Sequence, residues 1–219
     1  MSDPRIERGM RTQLGVRLEA LQCGAEAIGW KVGFNLPAIQ ERLGIDRPVA
    51  GFLTSGGLVP DGGTWLVDEE DPELVAEPEV AVEIGDDGRT IAALMPAIEL
   101  TVPPDLSLPL EEMLARNVFH RAVAFGPRSE PGSPGVARLY VDGELREQVP
   151  AERTGSHLEP MVDAIAARLA EVGEKLRSGD RIITGVLAPP PVVTAGQAVR
   201  LELDQLGAVE LSIEPALGR

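Results

Sequence analysis

Three glutamates carry the most informative chemistry in the sequence: Glu77 and Glu79, separated by one residue, and Glu99, which follows after a turn. Residues i and i+2 of a β-strand share a face with Cα atoms roughly 6.5 Å apart, so two carboxylates there can converge on one cation. A neighbouring strand end that supplied Glu99 would complete an all-oxygen site for a hard divalent ion. Neither Cys nor His accompanies the group, which suits Mg²⁺ or Mn²⁺ over zinc. The same alternation also describes an ordinary half-buried strand that turns its acids to water. Other chemistry-bearing residues stand singly. Lys31 alternates with Trp30, Val32 and Phe34, so it faces away from them, as a reactive amine or as a solvated strand lysine. His120 follows Phe119 in an apolar-rich segment and is either packed or a base near neutral pH. His157 stands at a helix start, where duty in the capping loop is the simpler reading. No nucleophile-base-acid triad, P-loop or dinucleotide fingerprint is present.

The elements that must position these residues follow from hydrophobic period. Ile6, Met10, Leu14, Leu18, Leu21 and Ala25 recur every three or four positions, which predicts an amphipathic helix from Arg5 to Ala27 with Cys23 as a small core residue on it. A strand over Trp30–Phe34, a short helix over Pro37–Leu43 ended by Gly44, and a strand over Val49–Leu53 running into Ser55-Gly56-Gly57 come next. The stretch Pro60–Pro78, dense in Gly, Asp and Glu, reads as a surface loop. Glu77–Ile84 alternates strictly, with Pro78, Val80, Val82 and Ile84 on one face and the acids with Ala81 on the other. A further strand spans Ile91–Leu94, a helix begins near Leu110, and Gly126–Gly135 is a loop. In the C-terminal half, Ala137–Val141, Asp142-Gly143 and Glu144 onward make a hairpin signal. Ser156 and Glu159 have capping-box spacing ahead of an amphipathic helix ended by Gly173. Strands over Arg181–Leu187, Val199–Leu203 and Ala208–Ile213 complete the chain.

Composition narrows the function classes. Across 219 residues, 20 Lys and Arg against 35 Asp and Glu leave a formal charge of −15, which excludes a phosphate backbone or an anionic membrane as the default partner. The 43% hydrophobic content supports a folded core, and 24 Gly with 19 Pro against 3% aromatics point to many short strands with an aliphatic interior. Cys23 is the only cysteine and can form no internal disulfide, which together with the lack of an apolar leader or spanning segment predicts a cytoplasmic protein. No clean linker divides the chain, so residues 1–219 read as one domain, with residues 1–28 an N-terminal helix region.

The collinear order of several short motifs adds a resemblance. Lys31-Val32-Gly33-Phe34, Gly51-Phe52-Leu53, Glu77-Pro78-Glu79, Pro96-Ala97-Ile98-Glu99, Ser156-His157, Gly173-Glu174-Lys175-Leu176, Ser178-Gly179-Asp180 and Thr184-Gly185-Val186-Leu187 follow one another in an order that resembles the fumarylacetoacetate hydrolase superfamily. Within it, the 2-keto-4-pentenoate hydratase and 4-oxalocrotonate decarboxylase branch looks most similar. The resemblance runs from about Trp30 to the C-terminus and implies an α/β (α+β) fold, a mixed β-roll with flanking helices like the fumarylacetoacetase C-terminal domain.

By position, Glu77, Glu79 and Glu99 then match the metal carboxylates, and Lys31 matches the active-site lysine. Asn117, Thr184 and Gly185 match substrate-contacting positions. The implied chemistry is a Mg²⁺- or Mn²⁺-dependent lyase of hydratase type, in which the ion chelates the carboxylate and 2-oxo oxygens of a small 2-oxo acid and stabilises an enolate. Two departures stand out. The hydratases carry an acid just after the Gly-Phe-Leu strand, where this chain has Thr54-Ser55-Gly56, and small polar residues after the asparagine, where it has Val118-Phe119-His120. His120 thereby becomes a substitute base and a second catalytic candidate. The chain also reads as a trimmed relative, shorter between Glu79 and Glu99. The alternatives are a decarboxylase or C–C bond hydrolase of a 2-oxo diacid, and a metal-binding relative without turnover. The expected partners are a small-molecule 2-oxo acid and further copies of the chain, as a homodimer or larger homo-oligomer, with no nucleic acid and no membrane.

Overall fold

The computed structural model describes residues 3–67, 73–155 and 157–216. Its first half contains α1 (Pro4–Gln22), β1 (Ala27–Gly33), α2 (Pro37–Leu43), β2 (Val49–Thr54), β3 (Leu58–Val59), β4 (Gly63–Val67), β5 (Glu73–Ile84), β6 (Ile91–Thr101) and α3 (Leu110–Ala115). The second half contains β7 (His120–Phe125), β8 (Ala137–Val141), β9 (Glu144–Val149), α4 (Ala151–Thr154), α5 (Leu158–Glu171), β10 (Arg181–Ile183), β11 (Val192–Thr194), β12 (Ala198–Leu203) and β13 (Gly207–Pro215). One sheet runs β2-β1-β10-β5-β6-β7-β3, with β11 beside the start of β5, and the other runs β4-β13-β12-β8-β9. The mixed α/β architecture expected from the sequence is therefore present, and apolar side chains from both sheets and from the helices join in one large core, while a smaller cluster around Ala81, Met95 and Ala97 packs on the other face of the larger sheet. None of the helices among the described residues is long and apolar enough to cross a membrane.

Local chemistry explains where expectation and structure meet. α2 ends where Gly44 takes the left-handed conformation (φ 64°) that closes a helix, as its sequence predicts. α1 begins under an Asp3 side chain that accepts from the Arg5 N–H at 2.9 Å, with Pro4 in the first turn. It stops at Gln22, short of the expected Ala27, and Cys23 caps it as an exposed residue outside the core. On its inner face Gly9 lets α3 close in, since a Cβ there would lie 2.7 Å from Leu114 Cβ.

The loop expected over Pro60–Pro78 instead holds β4 and the first half of β5, while its residues 68–72 lie outside the described set. Ser156 of the expected capping box also lies outside it, and His157 occupies the cap position of α5 without a side-chain capping bond. β3, β7 and β11 carry no signal recognised in the sequence.

β5 and β6 form the spine of the larger sheet, and both contain a proline that the rule against proline in central strands would exclude. The structure resolves the conflict. The Pro96 carbonyl accepts the Gly126 N–H at 2.9 Å just past the end of β7, and the Pro78 carbonyl accepts the Leu187 N–H at 3.0 Å between β10 and β11. Each proline thus turns its missing donor toward a gap in the neighbouring ladder, and β6 runs unbroken where the sequence predicts a stop near Leu94. β10 is correspondingly shorter than its apolar run, because Gly185, at φ 100°, turns the chain out of the sheet.

Candidate active site

The register of the spine assembles the carboxylates. Glu77 of β5 pairs directly with Glu99 of β6, and Glu79 with Ala97, so the three acids share one face of the sheet. One oxygen from each lies within 4.8 Å of one from each of the others. Glu79 and Glu99 are fully buried and Glu77 is half-buried, which removes the reading of acids turned to water. Like charges directly opposite in a sheet repel, and burial adds to that cost, so the arrangement calls for a counter-charge.

Lys31 supplies part of it. The row Lys31, Ile183, Ala81, Met95 crosses β1, β10, β5 and β6 in register, placing Lys31 on the same face as the acids. Its stem lies over Gly51 of β2, where a Cβ would come within 2.5 Å of Lys31 Cγ. The buried ammonium donates to Glu99 Oε1 and, at 3.1 Å, to the Val118 carbonyl. That carbonyl is delivered by three successive left-handed residues, Asn117, Val118 and Phe119 (φ 53°, 49° and 66°), a strained run for a β-branched and an aromatic residue. The Asn117 carboxamide holds the run in place, accepting from the Phe52 N–H at 2.8 Å and donating to the Phe52 carbonyl at 2.9 Å.

His120 Nδ1 lies 2.7 Å from Glu99 Oε1, and Gly185 donates its N–H to Glu79 Oε2 at 2.6 Å. Thr184 is buried behind Gly185, with its hydroxyl 2.8 Å from the Val80 carbonyl and 3.2 Å from His157 Nε2. Beside the carboxylates opens a cavity of about 190 Å³, walled by Lys31, Glu77, Thr101 and Asn35 and otherwise by apolar residues such as Phe34, Leu106, Val118 and Val186.

The structure thus brings together Lys31, Glu77, Glu79, Glu99, His120 and the Gly185 N–H. Asn117 and Thr184 stand one layer behind, and neither they nor Gly185 and His120 are among the described residues that wall the cavity. Thr101, which donates to Glu77 Oε1 at 3.2 Å, is the partner that sequence reasoning missed, and His157, expected to serve the capping loop, makes no side-chain cap and meets the Thr184 hydroxyl instead. Thr101 follows Glu99 by two residues on a strand, so the period that grouped the glutamates also places it on their face.

Electrostatics mark the three acids apart. Burial, reinforced by the charge on Glu99, pushes the Glu77 carboxyl up from 4.5 to about 7. Burial first, then Glu99 and Glu77, hold Glu79 well above the usual carboxylate range. Burial would raise Glu99 too, but the Lys31 charge and the His120 hydrogen bond overcome it and keep it below its ordinary value. His120 itself is pushed down by burial, against the pull of Glu99. The Glu79 Oε1 and Glu99 Oε2 atoms are buried without any hydrogen-bond partner. Two orphaned anionic oxygens beside a third carboxylate are the donor set a hard divalent cation takes, so the residues fit such an ion.

A stability consequence follows for the metal-free protein. Between pH 4.5 and about 7 the unfolded chain ionises Glu77 while the folded one keeps its proton, so the stability present below 4.5 is lost as pH rises through about 7. Glu77→Gln is free of that loss, whereas the histidine contributions are common to both proteins. In chelator, the melting temperature of Glu77→Gln should therefore rise relative to wild type as pH goes from about 5 to about 7.5, and a flat or falling difference in scanning calorimetry contradicts the assigned environment.

Comparison with known proteins places this geometry. No family model matches the sequence. A 4-oxalocrotonate decarboxylase of Pseudomonas sp is 26% identical over 210 residues, 88% of this chain and 80% of that protein. A 2-keto-4-pentenoate hydratase of Burkholderia vietnamiensis is 27% identical over 209 residues, 85% and 78% of the two chains. Among solved structures, the 4-oxalocrotonate decarboxylase of Pseudomonas putida G7 complexed with magnesium and adipate superposes with a TM-score of 0.79 at 22% identity, covering 92% of this chain and 83% of that one. The fumarylpyruvate hydrolase of Pseudomonas aeruginosa in complex with Mn²⁺ and pyruvate gives 0.63 at 19%, covering 85% and 89%. In sequence and in fold alike, over nearly its whole length, the chain resembles the 2-keto-4-pentenoate hydratase and 4-oxalocrotonate decarboxylase branch of the fumarylacetoacetate hydrolase superfamily.

Proposed function

We propose that this chain is a divalent-metal-dependent lyase of the hydratase type that acts on a small 2-oxo acid with an uncharged tail. The observation that carries the reading is the set of three carboxylates, two of them fully buried with an orphaned oxygen each, beside a mostly apolar cavity walled by one lysine. Glu77, Glu79 and Glu99 would hold Mg²⁺ or Mn²⁺, and the ion supplies a Lewis acid for the carboxylate and 2-oxo oxygens of the substrate.

The chain's own residues do the rest. Lys31 uses two of its three N–H bonds, on Glu99 and Val118, and keeps one for the substrate at the cavity wall. That ammonium is placed to stabilise the negative charge that develops on the 2-oxo oxygen and to move a proton at C3. His120 acts through Glu99, which it orients, so its part is positioning. Asn117 fixes the strained turn that carries the Val118 carbonyl, and Thr184 with Gly185 fixes Glu79. Apolar walls such as Phe34, Leu106 and Val186 exclude water from the tail.

The same walls weigh against a 2-oxo diacid. Lys31 is the one basic side chain among the described lining residues, and a second carboxylate buried at the far end would stay unpaired at a cost of several kcal/mol. At about 30 Å³ per water volume, 190 Å³ admits roughly six non-hydrogen atoms, so the cavity suits a small 2-oxo acid. The resemblance further implies a homodimer or larger assembly.

Solvent deuterium exchange at C3, followed by NMR in the presence of Mg²⁺, tests the reading whatever the true substrate is. Exchange into 2-oxopentanoate should exceed exchange into 2-oxoglutarate by at least about tenfold in kcat/KM. Preference for the diacid would favour the decarboxylase or C–C hydrolase reading, and metal binding without exchange into any 2-oxo acid would favour an idle site.

A further inference from the structure

The left-handed run hands the Val118 carbonyl to Lys31, a task that needs only backbone. Glycine would take the φ of 49° at position 118 freely, whereas a β-branched residue there is an outlier. The surroundings hold the run from both sides. The Asn117 carboxamide bonds both polar groups of Phe52, the Phe119 N–H donates to the Arg116 carbonyl at 3.1 Å, and the Phe119 carbonyl accepts the Val102 N–H at 3.1 Å. What valine adds is its side chain.

Gly33 makes room for that side chain. It follows Lys31 by two residues on β1 and so lies on the same face, and a Cβ there would come within 2.7 Å of Val118 Cγ1 and 3.2 Å of Cγ2. The two methyls of Val118 therefore sit over Gly33, next along the strand from the Lys31 stem, and all three residues wall the cavity. Val118 is 5% exposed where Leu36, on the same cavity, is 48% exposed, so the valine lies deep and the leucine stands at the mouth.

We propose that Val118 is a specificity-determining residue that reads the substrate at C3: its paired methyls fill the space beside the Lys31 ammonium, so the site takes 2-oxo acids with an unbranched CH₂ at C3 and rejects those that carry a methyl there. The inference rests on the lyase reading above, in which Lys31 moves a proton at C3, and it narrows the substrate class. The Val118 carbonyl lies 3.1 Å from Lys31 Nζ, which puts the side chain of the same residue within reach of the carbon that the amine serves. A wall pinned by its own backbone and backed by the main chain at Gly33 does not step aside for an added methyl.

The test compares 2-oxopentanoate with its isomer 3-methyl-2-oxobutanoate, which differ in branching at C3 and not in atom count. C3 deuterium exchange per hydrogen is followed by NMR in wild type, Val118→Gly and Val118→Ala loaded with Mn²⁺. Comparing proteins cancels the intrinsic difference between the two acids. The kcat/KM ratio of straight to branched acid should fall by at least about tenfold in Val118→Gly, the scale of one methyl in an apolar site. It should fall in the same direction in Val118→Ala, which also serves should glycine perturb folding. Calorimetric titration of the same proteins with the two acids should show the Kd values converging likewise, and it needs no turnover. A packing role alone would slow both acids by a common factor, and ratios within about twofold of wild type in both variants overturn the inference. Binding of both acids without exchange by wild type overturns the lyase reading instead, and the calorimetric ratio then still decides whether Val118 is the wall.

Discussion

Lys31→Met should lower kcat for C3 exchange by about 10²- to 10⁴-fold while the affinity for Mn²⁺ stays within about tenfold of wild type. The expectation comes from where the ammonium sits. It is 2% exposed, anchored on Glu99 and the Val118 carbonyl, and forms part of the cavity wall, so the charge it offers the reacting atoms has no substitute from solvent. Its interaction strengthens as negative charge develops, which places the loss in kcat more than in KM. Methionine keeps most of the stem's volume over Gly51 and deletes the charge. Breaking a buried ion pair by removing one partner costs about 3–5 kcal/mol, so the metal-free variant should melt well below wild type. A divalent ion on the same carboxylates replaces the missing counter-charge, so the deficit should shrink when metal is added. Undiminished exchange by Lys31→Met, measured by NMR on the metal-loaded protein, would remove the lysine from the mechanism.

Much of this site is readable from period and order alone. Alternation in Glu77–Ile84 puts Glu77 and Glu79 on one face, and the same rule places Lys31 opposite Trp30 and Val32. What alternation cannot give is burial or register. Both faces of β5 are covered, so its acids are buried where a strand with one wet face would expose them, and the pairing of Glu77 with Glu99 is set by the distant turn between Ile84 and Ile91.

The misses have separate causes. Pro96 looks like a terminator, so the sequence predicts that β6 stops near Leu94, but that proline sits opposite the end of β7, where its carbonyl still accepts the Gly126 N–H and the strand continues. β3 and β11 are two and three residues long and owe their strand geometry to the partners they lie against, a tertiary effect that no local pattern records. The bond from Thr101 to Glu77 crosses from β6 to β5 and becomes visible only once their register is known. The left-handed run Asn117–Phe119 is invisible for a stronger reason: valine and phenylalanine are poor choices for that conformation, and the surrounding contacts impose it.

The three-carboxylate centre is tested most directly by Glu79→Gln. Glu79 is fully buried, feels the charges of both Glu99 and Glu77, and presents one orphaned oxygen. Glutamine keeps the shape and an oxygen to accept the Gly185 N–H, while removing the anion. In chelator the variant should therefore melt above wild type, because a carboxyl held well above its usual range is a cost that the amide does not bear. Glu83→Gln is the control: it shares the face but lies four residues along the strand, roughly 13 Å away, and its carboxylate accepts from Arg128. The measurement is calorimetric titration of the three proteins with Mn²⁺. One ion per chain for wild type and Glu83→Gln, with affinity reduced more than about a hundredfold in Glu79→Gln, is the predicted result, since losing a ligand should exceed the 10- to 100-fold cost of losing an orienting partner. One ion per chain bound by Glu79→Gln with affinity within about tenfold of wild type would contradict the metal centre.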